Sequence, residues 1–468
     1  MSTLLAATPP TVALVLLLAR VTPVRASLAA LATGVVALLV GFPVASGELI
    51  RAEAEALVTG IEVVLIILGG VLLYELTERS GAQERLGAWV GELTEDRGRR
   101  VLLVVLGVTP FVESVTGFGV GVIVAVPLLM RMGFAVIESA VLGLLGLVAV
   151  PWGGLAVGTL VAARLAGVPF DSLGAASALL SLPIFLIVGA SALSVALGAR
   201  GAARRLPELV VVAAALCAGI WAVNRSLGTP LAGALGSLAA IVAVLALARL
   251  REGRVPLRSR GAGRASLPYA LLVALLAASQ GAAALLPAGV ASAIVSSPAP
   301  WLFVTCALTP LLTGAVAAAE ALRSAALRWL PVAVATFVFL VLGALMTVSG
   351  MSAALAQAGT RLGQGYLLLA PWIGGAGGFL TGSNSGANAM FATAQVAAAK
   401  QIGYPPLTLL AVQNVSASLL TMASAPRVAL AASLLGPEAT SGRVLRAVLL
   451  TDAVVLAALG ALALGLAP

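Results

Sequence analysis

Along the chain, apolar residues gather in long uncharged runs parted by short polar segments rich in arginine. Five runs, Ala26 to Gly47, Ser139 to Ala163, Ser172 to Ala199, Ser226 to Ala248 and Trp329 to Thr360, exceed the roughly 18 to 20 residues a helix needs to cross a bilayer. The opening stretch, Met1 to Ala19, lacks a basic n-region and reads as a retained first helix. The largest polar blocks, Thr77 to Arg100 and Arg249 to Ser266, are too short to fold as a soluble domain. The expectation is an all-α polytopic membrane protein with about 12 transmembrane spans, in which the membrane region is itself the functional unit.

Two runs are interrupted. Val101 to Val112 and Val120 to Met130 are each too short to cross and are parted by Glu113-Ser-Val-Thr-Gly-Phe-Gly119. Arginines mark both flanks as cytoplasmic, so the segment near 101–130 should enter the membrane and return as a re-entrant helical hairpin. A second polar interruption, Thr381-Gly-Ser-Asn-Ser-Gly-Ala-Asn388, falls within 366–399 and should dip in from the outside. The loops at Arg20 and Arg25, Arg79 to Arg100, Arg200 to Arg205, Arg249 to Arg264, Arg323 with Arg328, and Arg443 with Arg446 alternate with loops nearly free of basic charge, which places both termini outside. The count becomes three spans, a hairpin and two spans, repeated with opposite orientation. Residues 1–205 form the first of two inverted repeats, 206–265 a connecting helix pair with a basic cytoplasmic loop, and 266–468 the second repeat. Its spans are expected near Ser266 to Leu286, Trp301 to Ala319, Pro331 to Val348, Pro406 to Ser424 and Val444 to Leu466, with Pro287 to Pro300 as an uncharged outer loop.

Composition narrows the function. Of 468 residues, 61% are hydrophobic and 10% charged. The net charge of +9 sits in short loops, so it reports topology and gives no support to nucleic-acid binding. Lys400 is the only lysine and histidine is absent, which removes the commonest catalytic base, proton shuttle and metal ligand. Cys217 and Cys306 lie far apart in apolar segments and read as packing residues. No cofactor or metal is implied.

Non-helical backbone at membrane depth must be buried in protein or line an aqueous site, so the two tips are candidate walls of a binding site. A half-helix ending there offers unpaired N–H groups and the positive end of its dipole, which suit a carboxylate. Ser114, Thr116, Thr381, Ser383, Asn384, Ser385, Asn388 and Gln395 add polar groups, and Gly117, Gly119 and Gly382 let backbone approach a ligand. The plainer reading is that small and polar residues only allow close helix packing. Glu113, at mid-membrane, is a proton carrier on one reading and a helix cap or an arginine partner on the other. Arg427 either meets a substrate anion or marks a cytoplasmic helix end by snorkelling. Glu62, Glu138 and Asp452 read as interfacial anchors near span ends, and Arg131 and Glu138 as a pair two turns apart. Pro151-Trp-Gly-Gly154 followed by Gly158-Thr159 suggests an interrupted helix beside the first hairpin.

At these residues the chain resembles the lactate permease family of secondary transporters. Phe111 to Gly119 is similar to the family's Phe-x-Glu-x-x-x-Gly-Phe-Gly segment. Thr381-Gly-Ser through Asn388-Ala-Met-Phe391 and Gln395 is similar to its Gly-Ser-Asp/Asn-x-x-x-Asn-x-x-Phe-x-x-x-Gln pattern, and Ser424-Ala-Pro426 is similar to its Ser-Pro-Gln region. The chain departs from the family in reading Ser385-Gly386-Ala387 where serine and threonine are common, and Arg427 where glutamine is usual. The resemblance implies a secondary active transporter of small 2-hydroxymonocarboxylates (lactate, glycolate) in the bacterial plasma membrane, working by proton symport with an elevator-like movement. Its partners are the monocarboxylate, a proton or sodium, and the bilayer, with a homodimer as a further expectation. The alternatives are sodium-coupled carboxylate transport, an intramembrane enzyme, which the missing histidine disfavours, and a non-transporting assembly subunit.

Overall fold

The computed structural model describes residues 2–253, 261–314, 317–434 and 441–467, and is helical almost throughout. Residues 254–260 of the expected basic loop lie outside the described set. The chain begins with α1 (Ser2–Leu18), α2 (Pro23–Gly41), α3 (Ser46–Arg79) and a short amphipathic α4 (Ala82–Glu92). Next come α5 (Arg97–Leu103), a π-turn at Val104–Val108, α6 (Thr109–Thr116) and α7 (Val120–Arg131). A helix interrupted at Gly146–Trp152 follows, made of α8 (Val136–Leu145) and α9 (Gly153–Ala166). The 57-residue α10 (Phe170–Ser226) is broken at Gly198 (φ +71°, ψ 167°) into two arms, and α11 (Thr229–Glu252) packs along its length.

The second half holds α12 (Ala262–Ala284), α13 (Val290–Ser296), α14 (Pro298–Thr313), α15 (Ala318–Val348) and α16 (Met351–Gly359). They are followed by α17 (Tyr366–Thr381), α18 (Asn384–Gln401), α19 (Pro406–Leu420), α20 (Ala425–Ser433) and α21 (Ser441–Gly465). Among the described residues, nine helices have the length and composition to cross a membrane, or ten if α13 and α14, bent by 49°, make one span. The protein is thus an all-α, multi-pass membrane protein.

Boundaries differ from expectation in three places. The outer loop expected at 287–300 contains α13, and the bend falls where Pro298 opens α14, a position that suits a residue without an N–H. The span expected to start at Pro331 starts at Ala318. Pro331 sits inside α15, whose packing on α2 and α3 holds the helix through the lost hydrogen bond. The anchor expected from Asp452 is absent, because that residue lies midway along α21 and is 1% exposed.

Buried apolar residues fall into two clusters. One is built mainly from α5 to α11 together with α17 to α21. The other is built from α1 to α3, α12, α14 and α15, and receives Val115, Leu155, Leu160 and Met390 from helices of the first. Charged side chains lock the arginine-rich ends. Arg99 grips both oxygens of Glu208 at 3.1 and 2.8 Å and one of Glu252 at 2.7 Å, tying α5 to α10 and α11, while Arg205 pairs with Asp96. In the other cluster Glu75 pairs with Arg79 at 3.4 Å and Arg328 at 3.1 Å, joining α3 to α15. Arg131 and Glu138 are not a pair. Glu138 is held by Arg97 at 2.7 Å and Arg131 lies 3.4 Å from Glu84, because the turn after α7 carries the two residues apart.

Candidate functional site

The helix leading into the first tip is longer than its polar sequence suggests. Thr116 returns its hydroxyl to the Val112 carbonyl at 2.6 Å, so Glu113 and Ser114 stay helical and only Gly117-Phe-Gly119 turns. All three turn residues have positive φ (72°, 57° and 84°). For Phe118 that conformation is strained. The chain then reverses into α7, where a Cβ on Gly121 would lie 3.2 Å from Glu113 Cβ. In the second half Gly382 (φ +64°) and Ser383 make the turn between α17 and α18. A Cβ on Gly377 would touch Ala387 and Phe391 at 3.0 Å, so this pair of helices is also folded back on itself. Asn384 to Asn388, expected in the interruption, form the first turn of α18, capped by the Ser383 hydroxyl, which accepts from Gly386 N at 3.3 Å.

Both tips rest on α9 and on the start of α20, which follows α19 after the turn Thr421–Ala423. Gly119 lies against Arg427: a Cβ there would fall 2.2 Å from the guanidinium Nη1. Gly382 lies against Ser424 and Pro426, where a Cβ would fall 3.3 and 3.5 Å away. The Ser424–Arg427 stretch at the start of α20 therefore bridges the two tips. On the other side, Gly117 meets Gly154 at 2.9 Å and Asn384 packs on Gly158, as measured from Cβ positions at Gly117 and Gly158. The first turn of α9 is left-handed through Gly154, Leu155 and Ala156 (φ 51°, 57° and 69°). Such backbone costs on the order of 1–3 kcal/mol per non-glycine residue and is held only where its surroundings over-determine it.

Glu113 is 2% exposed and Arg427 8%. The Glu113 carboxylate accepts from Gly119 N at 3.0 Å to each oxygen and from Gly121 N at 3.1 Å, and its Oε1 lies 3.3 Å from Arg427 Nη1. The two plainer readings of Glu113 hold together: it caps the N-terminus of α7 and pairs with an arginine. Arg427 does not snorkel, since its charge is spent inside the protein. The N–H groups at the start of α7, expected to be open to a ligand, are occupied by this side chain. What they and Arg427 form is a carboxylate seat.

A second polar centre lies behind the second tip. Asn388 Nδ2 donates to the Gly158 carbonyl at 3.0 Å, to Asn384 Oδ1 at 3.1 Å and to Asn414 Oδ1 at 2.9 Å. Asn414 also accepts from Asn384 at 3.0 Å and donates to Thr159 at 2.9 Å and Ser177 at 3.0 Å. Gln395 accepts from the Tyr366 hydroxyl at 2.9 Å and donates to Gln413 at 3.2 Å, and Gln413 donates to Asn388. The network ties α17, α18 and α19 to α9 and α10.

Of the anticipated residues, Glu113, Gly119 and Arg427 meet in the seat, while Asn384, Asn388 and Gln395 meet in the network. Thr381 bonds within its own hairpin, to Gly377 and Ser383 carbonyls, and Ser385 is buried in the first turn of α18. Ser114 faces away from the seat, against Gly233 of α11, and Thr116 packs its carbonyl on Gly70 of α3; both fit the helix-packing reading. Asn414, Gln413, Ser177 and Tyr366 were not anticipated. The adjacent Gln413 and Asn414 inside an uncharged span were the available signal. A cavity of about 540 Å³ lies elsewhere, between α4, α12 and the outer side of the first hairpin. Its walls, including Leu86, Val112, Leu128, Ile241 and Val273, offer no convergent polar groups for an anion.

The sequence model of the L-lactate permease family matches residues 2–302 and 286–467, nearly the whole chain. The L-lactate permease of Escherichia coli K12 is 25% identical over 431 residues, covering 79% of this chain and 78% of its own. That of Streptococcus iniae is 25% identical over 405 residues, covering 79% and 84%. The glycolate permease GlcA of Escherichia coli K12 is 34% identical over 111 residues, 24% of this chain and 20% of its own. The chain is not an enzyme but a secondary transporter of the plasma membrane, and it belongs to the L-lactate permease family.

Proposed function

We propose that the protein is a proton symporter of small 2-hydroxymonocarboxylates, lactate and glycolate among them, and that the anion binds between the hairpin tips. The observation carrying this reading is the carboxylate seat of Arg427 and the α7 N-terminus, filled by Glu113. A substrate carboxylate has the same chemistry as the side chain in the seat. Two carboxylates cannot share it without a cation to spare, so anion and ionised Glu113 compete. A proton on Glu113 removes its claim on Arg427, and the substrate carboxylate takes its place. The loaded site then carries no more charge than the empty one, which keeps its passage through the bilayer cheap. Ser383, Asn384 and Asn388 are the groups we assign to the rest of the substrate, with Gly117, Gly119, Gly382, Ser385 and the Thr381 turn shaping the space around it.

We further read the two halves as inverted repeats, each with a re-entrant hairpin followed by an interrupted span. In support, each half runs through three helices, the bent pair α13 and α14 counting as one, then a short helix, a folded-back pair, an interrupted helix and a long helix. Counting the two arms of α10, the bent pair and α1 as spans brings the number to twelve. The two hydrophobic clusters suit an elevator: α5 to α11 with α17 to α21 as the moving body, and α1 to α3 with α12, α14 and α15 as the scaffold.

Uptake of labelled lactate and glycolate into liposomes containing the purified protein, with an inward proton or sodium gradient, tests the reading. Accumulation driven by the proton gradient is expected. Sodium-driven accumulation removes Glu113 from its coupling role, and uptake of neither acid contradicts the substrate class.

A further inference from the structure

Asp452 is a carboxylate that the seat does not use. It sits eleven residues into α21 and thirteen from its end, so about 16 Å of helix separates it from the nearer end. With Val444, Val448, Val455, Leu456, Leu459 and Ala463 it makes one stripe of the helix, and every member is at most 1% exposed. Its neighbours on that stripe are all aliphatic, so packing alone calls for a valine or leucine. Both carboxylate oxygens are buried without a hydrogen-bond partner among the described residues. An ionised carboxylate left so costs several kcal/mol, whereas the neutral acid does not carry that charge.

Its depth is set by the packing of α21 on α17. A Cβ on Gly375 would lie 3.2 Å from Leu456, and one on Gly460 would lie 3.1 Å from the Leu368 carbonyl, so the two helices run antiparallel. One turn before Leu456, Asp452 lies further toward the Thr381 end of α17, the end that carries the second tip. The helix also packs on the turn Thr421–Ala423, which breaks the span leading to Arg427. Among the described residues, the other elements against α21 leave it no countercharge on this face. Helices α17 and α19 and the Thr421–Ala423 turn carry no charge, Tyr366 being their one titratable group. Helix α8 brings Glu138, held by Arg97, and α20 brings Arg427, held by Glu113. On α10, Asp171 is bonded to Thr229, Arg205 and Glu208 belong to the Arg99 network, Cys217 donates to Ala178, and Arg200, Arg204 and Arg225 are exposed. Arg443 and Arg446 lie nine and six residues earlier on α21 itself.

We propose that Asp452 is a second proton-carrying carboxylate of the moving body, protonated in the buried arrangement and ionised when the body's other position opens the region beside the second tip to water. The inference rests on the proton-symport reading above. It makes the cycle carry two protons with one monocarboxylate, one on Glu113 and one on Asp452, so that each turnover moves one net positive charge. A sodium ion would need several oxygen ligands at this place, whereas a proton needs only the carboxylate.

The test is the accumulation ratio of lactate in liposomes at zero membrane potential with a pH step of one unit. Two protons give about a hundredfold accumulation and one gives about tenfold, since each proton contributes one pH unit of driving force. The intact protein should reach the higher value and respond to an imposed potential; Asp452→Asn should fall to the lower value and lose that response. A tenfold ratio in the intact protein, or an unchanged ratio in Asp452→Asn, overturns this proposal while leaving symport standing. An intact protein indifferent to the pH step overturns both. A second measurement does not depend on the variant folding. The chain has three aspartates, Asp96, Asp171 and Asp452, and the first two are engaged by Arg205 and Thr229. With carboxyl-labelled aspartate, infrared spectra at neutral pH should contain a protonated-carboxyl band, and a spectrum of ionised aspartate alone overturns the assignment.

Discussion

Glu113 and Arg427 each solve the other's burial, and that makes their substitutions unequal. Arg427→Met leaves a carboxylate at 2% exposure without its cation, and losses of this kind run to about 3–5 kcal/mol. Adding Glu113→Gln removes the orphaned charge. The double variant should recover most of the lost thermal stability in detergent yet not transport, and a double variant no more stable than Arg427→Met argues against the pair as the cause. Gly119 is constrained from two directions. Its φ of +84° disfavours any side chain, and a Cβ would overlap Arg427 Nη1 at 2.2 Å. Gly119→Ala should therefore insert normally while lowering lactate uptake by at least about tenfold, the equivalent of ~1.4 kcal/mol. The polar types at the first tip, glycine and glutamate in an apolar run, were legible in sequence. Their partner was not, because Arg427 lies 314 residues away and reads locally like any arginine at a helix end.

At the scale of elements, the two folded-back helix pairs announced themselves as polar, glycine-bearing breaks within apolar stretches. Their turns are narrower than the polar stretches that gave them away. Hydroxyls that bond back to carbonyls, as Thr116 does, and the cap from Ser383 keep polar residues helical. The interruption before α9 was visible in Pro151-Trp-Gly-Gly154, but the left-handed turn at Leu155 and Ala156 was not, since neither residue favours it and tertiary contacts impose it. Asn414 was hidden by an otherwise apolar run of ordinary length. It joins α19 to α18, α9 and α10, and Asn414→Leu would leave the Asn384 amide and Ser177 without this partner in the interior, while Asn388 keeps Gly158 and Asn384. A destabilisation of roughly 2–4 kcal/mol is expected from those lost bonds, read as a lower unfolding temperature; an unchanged value would mean that water replaces the amide. At the arginine-rich ends, Arg99→Met should cost about 3 kcal/mol by leaving Glu252 without its ion pair and Glu208 with Arg205 alone, and less if their partial exposure lets water in.

For the whole molecule, the division into two hydrophobic clusters is what sequence could not supply, because hydropathy counts spans without saying which pack together. Gly70 of α3 lies on the boundary, where a Cβ would stand 2.7 Å from the Thr116 carbonyl oxygen of the first hairpin. If that hairpin slides along α3, Gly70→Ala should slow maximal lactate uptake with little change in half-saturation. An equal fall in affinity would instead make Gly70 part of the binding site. In the proposed cycle one carboxylate, Glu113, yields its seat to the substrate on taking a proton. Recording internal pH and labelled lactate together in liposomes holding Glu113→Gln tests this. This variant should exchange lactate across the membrane but no longer couple lactate entry to proton entry at the seat, so that its protons per lactate fall below those of the intact protein. A Glu113→Gln protein that carries as many protons per lactate as the intact one would contradict it.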